Sequence, residues 1–277
     1  MKKLTLGYSP CPNDTFIFHA LVHGRIKTGD LEFAELLEDV ETLNKMARQG
    51  QLNITKVSFH AFGHLREDYC LLRSGGAMGR GCGPLVVARE ALRMQDLRGR
   101  KIAIPGSLTT AFLLLQLYDP GLKDTVTVMP FNNIINAVRT GVVDAGLIIH
   151  ESRFTYREAG LKQVLDLGEW WETTTGLPIP LGAIIAQRSL GAGIIAELNT
   201  YLRASIEYAF SHRQESLAYI KEHSQELDDA VIEQHIGLYV NQYSLDPGND
   251  GILAIEELFR QAEAAGIIGR SSRPLME

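Results

Sequence analysis

The sequence predicts an α/β protein of two lobes that holds a small anionic organic molecule in the cleft between them. Three observations carry this. Short apolar runs alternate with amphipathic stretches from the start of the chain to about residue 150, the pattern of parallel strands with helical crossovers. Two segments echo each other: Lys45-Met46-Ala47-Arg48-Gln49-Gly50 leading to Val57-Ser58, and Asn136-Ala137-Val138-Arg139-Thr140-Gly141 leading to Ile148-Ile149-His150. Each reads as a helix, a glycine stop and a strand ending in a polar side chain. Finally, 83–88 and 182–187 share a glycine followed by an apolar run, and read as outward and return crossings between lobes. The expected division is 1–86 with 187–277 as a larger, discontinuous first lobe, and 87–186 as a smaller, inserted second lobe.

In order, residues 4–8 form an apolar run that ends at the Ser9-Pro10-Cys11-Pro12 turn, a first strand. Asn13, Asp14 and Thr15 precede the apolar 16–22, a helix-start signal, and Gly24 stops that helix. Residues 31–37 alternate loosely as a strand, 40–48 are amphipathic, and 54–59 read as a third strand. Strand 84–88 leaves this lobe. The second series runs strand 101–105, helix 111–118, strand 126–129, helix 134–139 and strand 145–149. From about 192 onward helical spacing dominates, and those helices are expected to pack back on the first lobe.

The 277 residues are 45% hydrophobic and 22% charged, enough to bury a core without disulfides or metals. Net charge is −6, and the five Arg and Lys within 89–101 are interleaved with Glu90 and Asp96, so nucleic acid is not an expected partner. No window has the roughly 18 apolar residues of a membrane span, and the N-terminal stretch is broken by Gly7 too soon for a secretion signal. Cys11, Cys70 and Cys82 are odd in number and far apart, which fits a reducing compartment. A cytoplasmic protein without membrane insertion is expected; the sequence sets no oligomeric state.

Ligands of open α/β sheets sit beyond the carboxyl ends of strands, where helix N-termini point. Three such places carry suitable side chains. Ser9 to Thr15 is a rigid turn into a helix start, either a plain cap or an anion site with Asn13 and Asp14 beside it. Gly106-Ser107-Leu108-Thr109-Thr110 offers hydroxyls at a helix start; a carboxylate cradle and simple capping both fit it, and it lacks the Gly-Lys-Ser/Thr end of a phosphate loop. His150 ends a buried-looking strand, the place of a general base or of a structural imidazole.

Other residues have blander readings. His19/His23 and His60/His64 have i,i+4 spacing, but no HExxH motif exists and no metal is expected. Cys11 reads as a packed cysteine. The glycine-rich 79–83 is a hinge or a cleft lining, and Trp170-Trp171 a packed turn or a cleft rim.

Ser9-Pro10-Cys11-Pro12-Asn13-Asp14-Thr15-Phe16 with His19-Ala20-Leu21, then Gly106-Ser107-Leu108-Thr109-Thr110-Ala111, then Gly146-Leu147-Ile148-Ile149-His150-Glu151, strongly resemble the 1,4-dihydroxy-6-naphthoate synthase family, in order and over nearly the whole chain. The resemblance implies a periplasmic-binding-protein-like (type II) fold working in the cytoplasm. It implies a lyase of menaquinone biosynthesis by the futalosine route, acting on cyclic dehypoxanthine futalosine with no cofactor. It implies His150 as proton acceptor, and Lys56, Val57, Ser58, Thr109 and Thr110 as substrate-binding residues. Asn13 and Asp14, in the signature motif, are expected near the cleft. The alternatives are a chorismate dehydratase of the same pathway, or a non-catalytic binder of small anions.

Overall fold

The computed structural model describes residues 2–225 and 228–277. The first lobe opens with β1 (Lys2–Tyr8), α1 (Pro12–Val22), β2 (Leu31–Leu37), α2 (Val40–Arg48), β3 (Ile54–Ser58) and α3 (Phe59–Gly63). Strand β1 pairs in parallel with β2 over all seven residues, and in parallel with β3. This is the expected β-α-β-α-β order.

Local chemistry explains where the helices begin. Helix α1 starts at Pro12, whose fixed φ suits the first helical position and whose missing N–H costs nothing there. Asn13, Asp14 and Thr15 therefore lie inside the first turn rather than ahead of it, and all three are buried. Helix α2 is capped by Asp39, whose side chain accepts from the amides of Glu41 and Thr42 at 2.9 and 3.2 Å.

Strands β4 (Tyr69–Leu71) and β5 (Ala77–Gly79) follow, then β6 (Leu85–Ala88), β7 (Ile102–Ile104), α4 (Thr110–Tyr118), β8 (Val126–Val128), α5 (Phe131–Thr140) and β9 (Ala145–Ile148). A short α6 (Ser152–Thr155), β10 (Lys162–Asp166) and α7 (Leu167–Thr175) lead to β11 (Ile179–Gln187). The chain ends in α8 (Ala192–Ser211), α9 (Leu217–His223), α10 (Asp229–Tyr239), α11 (Gln242–Leu245) and α12 (Gly248–Ala264).

The strands form two sheets. The first runs β2-β1-β3-β11-β4, with β5 also on β11; the second runs β10-β6-β9-β7-β8. Strand β11, which the sequence reading put in the second lobe up to residue 186, pairs antiparallel with β3, β4 and β5 and so lies wholly in the first sheet. Its alternate side chains enter two different cores, Ile184 and Ala186 one, Ala183 and Ile185 the other. With apolar residues on both faces, nothing in its pattern marks which sheet it joins.

Three apolar clusters hold the molecule. One lies between the first sheet and α1 and α8, with Leu6, Phe18, Ile184 and Ile206 buried. Another joins the second sheet to α5 through Val87, Ile134, Val138 and Ile148. The third runs from Val57, Phe62 and Ile185 of the first lobe through Trp171 and Leu113 to Val86 and Leu147 of the second sheet, so the two sheets share a continuous core. The C-terminal helices pack on the first lobe, as expected: α8, α9 and α10 all contact α1. No helix among the described residues is long and apolar enough to cross a membrane.

Candidate active site

The turn after β1, the end of β3, the start of α4 and the end of β9 converge on one cavity of about 90 Å³. Asn13, Asp14, Lys56, Val57, Ser58, Thr109, Thr110 and His150, all eight singled out in the sequence, line it. Tyr239, Cys82 and Leu181 complete much of its apolar wall.

At its floor lies a buried ion pair. Lys56 Nζ donates to Asp14 Oδ1 at 2.9 Å and to the Gly75 carbonyl at 3.0 Å, with side-chain exposures of 5% for Lys56 and 2% for Asp14. Asp14 is otherwise saturated: Asn13 Nδ2 donates to Oδ1 at 2.8 Å, and the Ser9 hydroxyl and amide donate to Oδ2 at 2.7 and 3.2 Å. The pair needs those extra donors, since two charges in an apolar interior are stable only when their remaining lone pairs and protons are satisfied. Glycine at residue 182 of β11 leaves room for this lysine: a Cβ there would stand 2.9 Å from Lys56 Cε, which would have to shift.

Ser58 is held through its amide, which donates to Asn44 Oδ1 at 2.9 Å, while Asn44 Nδ2 donates to Ser58 Oγ at 3.3 Å. Thr109 caps α4: its hydroxyl accepts from the Phe112 amide at 3.2 Å and donates to the Gly106 carbonyl at 2.8 Å. The Thr110 hydroxyl donates to the Leu181 carbonyl at 2.6 Å.

The 106–110 loop does cradle a carboxylate, but it is the protein's own. Glu41 Oε1 accepts from the Ser107 amide and hydroxyl at 3.0 and 3.1 Å, and Glu41 Oε2 from the Leu108 amide at 3.2 Å. A Cβ at Gly106 would fall 2.4 Å from this carboxylate, so glycine there lets Glu41 approach the loop. The amides of Thr110 and Ala111 lie in the first turn of α4 and have no intrahelical acceptor, and both residues line the cavity.

His150 follows β9 with φ of 56°, the one positive φ outside glycine among the described residues. Such left-handed backbone in a non-glycine residue costs about 1–3 kcal/mol and persists where the surroundings impose it, commonly at functional sites. Burial pushes the His150 pKa below 6.5; Glu151, Asp14 and Asp39 oppose this and Lys56 reinforces it. The imidazole is thus a neutral base at pH 7. It lines both the inner cavity and a second, outer one of about 230 Å³ bounded by Pro10, Asp39 and Phe131.

Among the described residues, Cys11, His150 and Glu151 are the one group of three His, Cys or acidic side chains whose sulfur, nitrogen and oxygen atoms lie within 4.8 Å of one another. Burial, and then the charge of Glu151, push the Cys11 thiol well above its usual range, so it stays a protonated, packed thiol. The His19/His23 rings stack at 4.4 Å, the His60/His64 rings lie tilted at 5.4 Å, and neither pair joins such a set.

Asn44, which holds Ser58, and two further polar residues beside the site escaped the sequence reading. His235 of α10 is fully buried, and its Nε2 lies 2.9 Å from Asn13 Oδ1. Glu41 looked like an ordinary charge on an amphipathic helix. The available signal for His235 was its place on the apolar face with Ile232 and Ile236, which reads equally as core.

The comparisons agree with this architecture. Residues 4–264 match the menaquinone biosynthesis family. A 1,4-dihydroxy-6-naphthoate synthase of Thermus thermophilus is 53% identical over 275 residues, 99% of each chain. One of Streptomyces coelicolor is 50% identical over 272 residues, covering 96% of this chain and 94% of the relative. A crystal structure from Archaeoglobus fulgidus superposes with a TM-score of 0.89 at 37% identity, over 96% of this chain and 98% of the other. The alkanesulfonate-binding protein SsuA from Xanthomonas axonopodis pv. citri, at 16% identity, a TM-score of 0.69 and coverages of 97% and 94%, is similar in fold, which is that of the periplasmic binding proteins. By sequence over nearly its full length and by fold, this chain belongs to the menaquinone biosynthesis family.

Proposed function

We propose that this chain is a 1,4-dihydroxy-6-naphthoate synthase, a carbon–carbon lyase that converts cyclic dehypoxanthine futalosine to 1,4-dihydroxy-6-naphthoate in the cytoplasm. The observation that carries this reading is His150: a neutral imidazole on left-handed backbone, lining a cavity shared with the signature residues, in a chain at least 50% identical to two enzymes of that name.

In this reading His150 removes a proton next to a carbonyl of the substrate, and the sugar-derived part leaves as a small carbonyl compound. Aromatisation of the second ring drives the cleavage. General-base help of this kind is worth about 10²–10⁴ in rate. The substrate carboxylate meets the first-turn amides of α4 at Thr110 and Ala111, where the helix dipole favours an anion. Lys56 and Asp14 cancel each other's charge and act as a rigid polar floor, with Asn13, Val57, Ser58 and Thr109 shaping the wall. We read the two sheets as two lobes that part near residues 84 and 178, and whose closure excludes water from the reacting atoms.

Incubating the purified protein with cyclic dehypoxanthine futalosine and following 1,4-dihydroxy-6-naphthoate by mass spectrometry tests the reading. Product formed by the parent protein and lost in His150→Asn supports it. Turnover of chorismate instead would move the chain to the sister activity.

A further inference from the structure

Two buried side-chain atoms among the described residues have no hydrogen-bond partner: Glu151 Oε2 and His235 Nδ1. They face each other at 3.9 Å, with side-chain exposures of 13% for Glu151 and 0% for His235. Leaving a buried polar atom unpaired is costly, and leaving two together with no donor between them is doubly so.

The tautomer of His235 follows from its neighbours. Lys56 Nζ and Asn13 Nδ2 both donate to Asp14 Oδ1, so the other end of the Asn13 amide, Oδ1, is an acceptor. His235 Nε2, 2.9 Å from it, must carry a proton. The lone pair of Nδ1 then points at a carboxylate oxygen. One proton placed between the two atoms turns both into satisfied groups, after a contraction of about 1 Å to hydrogen-bond length.

We propose that Glu151 and His235 share one proton, and that this pair sets the charge that His150 feels, which makes His235 a positioning residue for the reaction. The pair stands directly behind the base. Glu151 is the next residue in the chain, and the His235 ring lies parallel to that of His150, 6.1 Å away at an interplanar angle of 4°. The inference about His150 rests on its role in the proposed function; the shared proton does not.

The remaining charges leave room for this device. Asp14, Lys56, Asp39 and Glu151 are the charged groups that act on His150; His150 and Lys56 act on His235, whose ring also touches Tyr239 at 4.7 Å. The Lys56–Asp14 pair is neutral as a unit. A Glu151–His235 pair holding one proton is neutral as well, whichever atom carries it. His150 then faces no net charge from either pair, and burial alone keeps it a free base. Without His235 the lone Glu151 carboxylate, beside His150 in a water-poor site, would favour the imidazolium.

Nitrogen-15 NMR of the intact, histidine-labelled protein reads the proton directly, without substrate. The expected His235 Nδ1 resonance is that of a protonated or strongly hydrogen-bonded nitrogen, and Glu151→Gln displaces it. A free, unprotonated Nδ1 signal that Glu151→Gln leaves in place overturns the proposal. The kinetic arm compares pH profiles of kcat/KM. In His235→Gln, which retains a donor for Asn13, the acid limb is expected to rise by about one pH unit; in Glu151→Gln it stays or falls. A purely structural role would lower kcat in both variants with unmoved limbs, and that result also overturns the proposal. If the protein does not turn over the substrate at all, the proposed reaction fails, while the NMR result still decides the proton.

Discussion

At the scale of single residues, His150 combines two unusual properties: left-handed backbone and an imidazole kept neutral by burial. Its lowered pKa means the base form persists at neutral pH and is lost only on acidification. kcat/KM is therefore expected to be level around pH 7 and to fall as pH drops through a value below 6.5; a fall that begins above 6.5 would contradict this. His150→Asn is the informative substitution, because asparagine tolerates the left-handed conformation and isolates the loss of the base. It should lower kcat about 10²–10⁴-fold while substrate affinity, measured by calorimetry on the inactive variant, stays near that of the parent. The Lys56–Asp14 pair has a different expectation. Lys56→Met strands a buried carboxylate and should cost about 3–5 kcal/mol in denaturant unfolding. Lys56→Met with Asp14→Asn should recover much of that loss, whereas additive losses would mean the pair does not act as a unit.

Between elements, the contact that matters most for closure is α2 against the start of α4. The Glu41 carboxylate, 4% exposed, takes the amides of Ser107 and Leu108, so the second lobe's helix N-terminus holds a charge supplied by the first lobe. If the lobes part as proposed, this contact breaks with them. Glu41→Ala leaves those amides unpaired and should cost about 1–3 kcal/mol. Hydrogen exchange at Ser107 and Leu108 should then quicken, and KM should rise if closure contributes to binding; unchanged protection of both amides would show that the contact is incidental.

For the whole molecule, buried neutral histidines tie stability to pH. His60 of α3 is pushed down to about 4 by burial first and by His64 second, against the weaker opposing effect of the Thr109 carbonyl. Its unfolded value is 6.5, so between pH 6.5 and 4 the unfolded chain binds the extra proton and stability falls as pH falls. At about 1.36 kcal/mol per pH unit, His60 alone accounts for about 3 kcal/mol, fully present above pH 6.5. His150, also lowered, acts in the same direction. Urea unfolding at several pH values should show this slope, and His60→Gln should flatten it; the same slope in both proteins would remove His60 from the account.

Read as a sequence, the chain already determined most of its elements and pointed to Asn13, Asp14, Thr109, Thr110 and His150 at the cavity, with Lys56 and Val57 implied by the family resemblance alone. The reason is local: the helix-start signals at 13–15 and 106–110 and the apolar periods of β1, α2, β3 and β9 are decided by neighbours within a turn or two. The short β4 and β5 carry too few residues for a period, and β11 is apolar on both faces, so their pairing is decided by partners more than a hundred residues away in the case of β11 with β3 and β4. Long-range contacts also decided what the polar residues do. Glu41 meets residues 107 and 108 where the two sheets share one core, while His235 meets Asn13 and Lys56 finds its counter-charge in Asp14 within the first lobe, where folding buries α1 against α10 and the end of β3. A charge pattern along the chain shows which residues are ionisable; only burial and the partner across the cleft determine which of them stay charged, which are neutralised and which are left to move a proton.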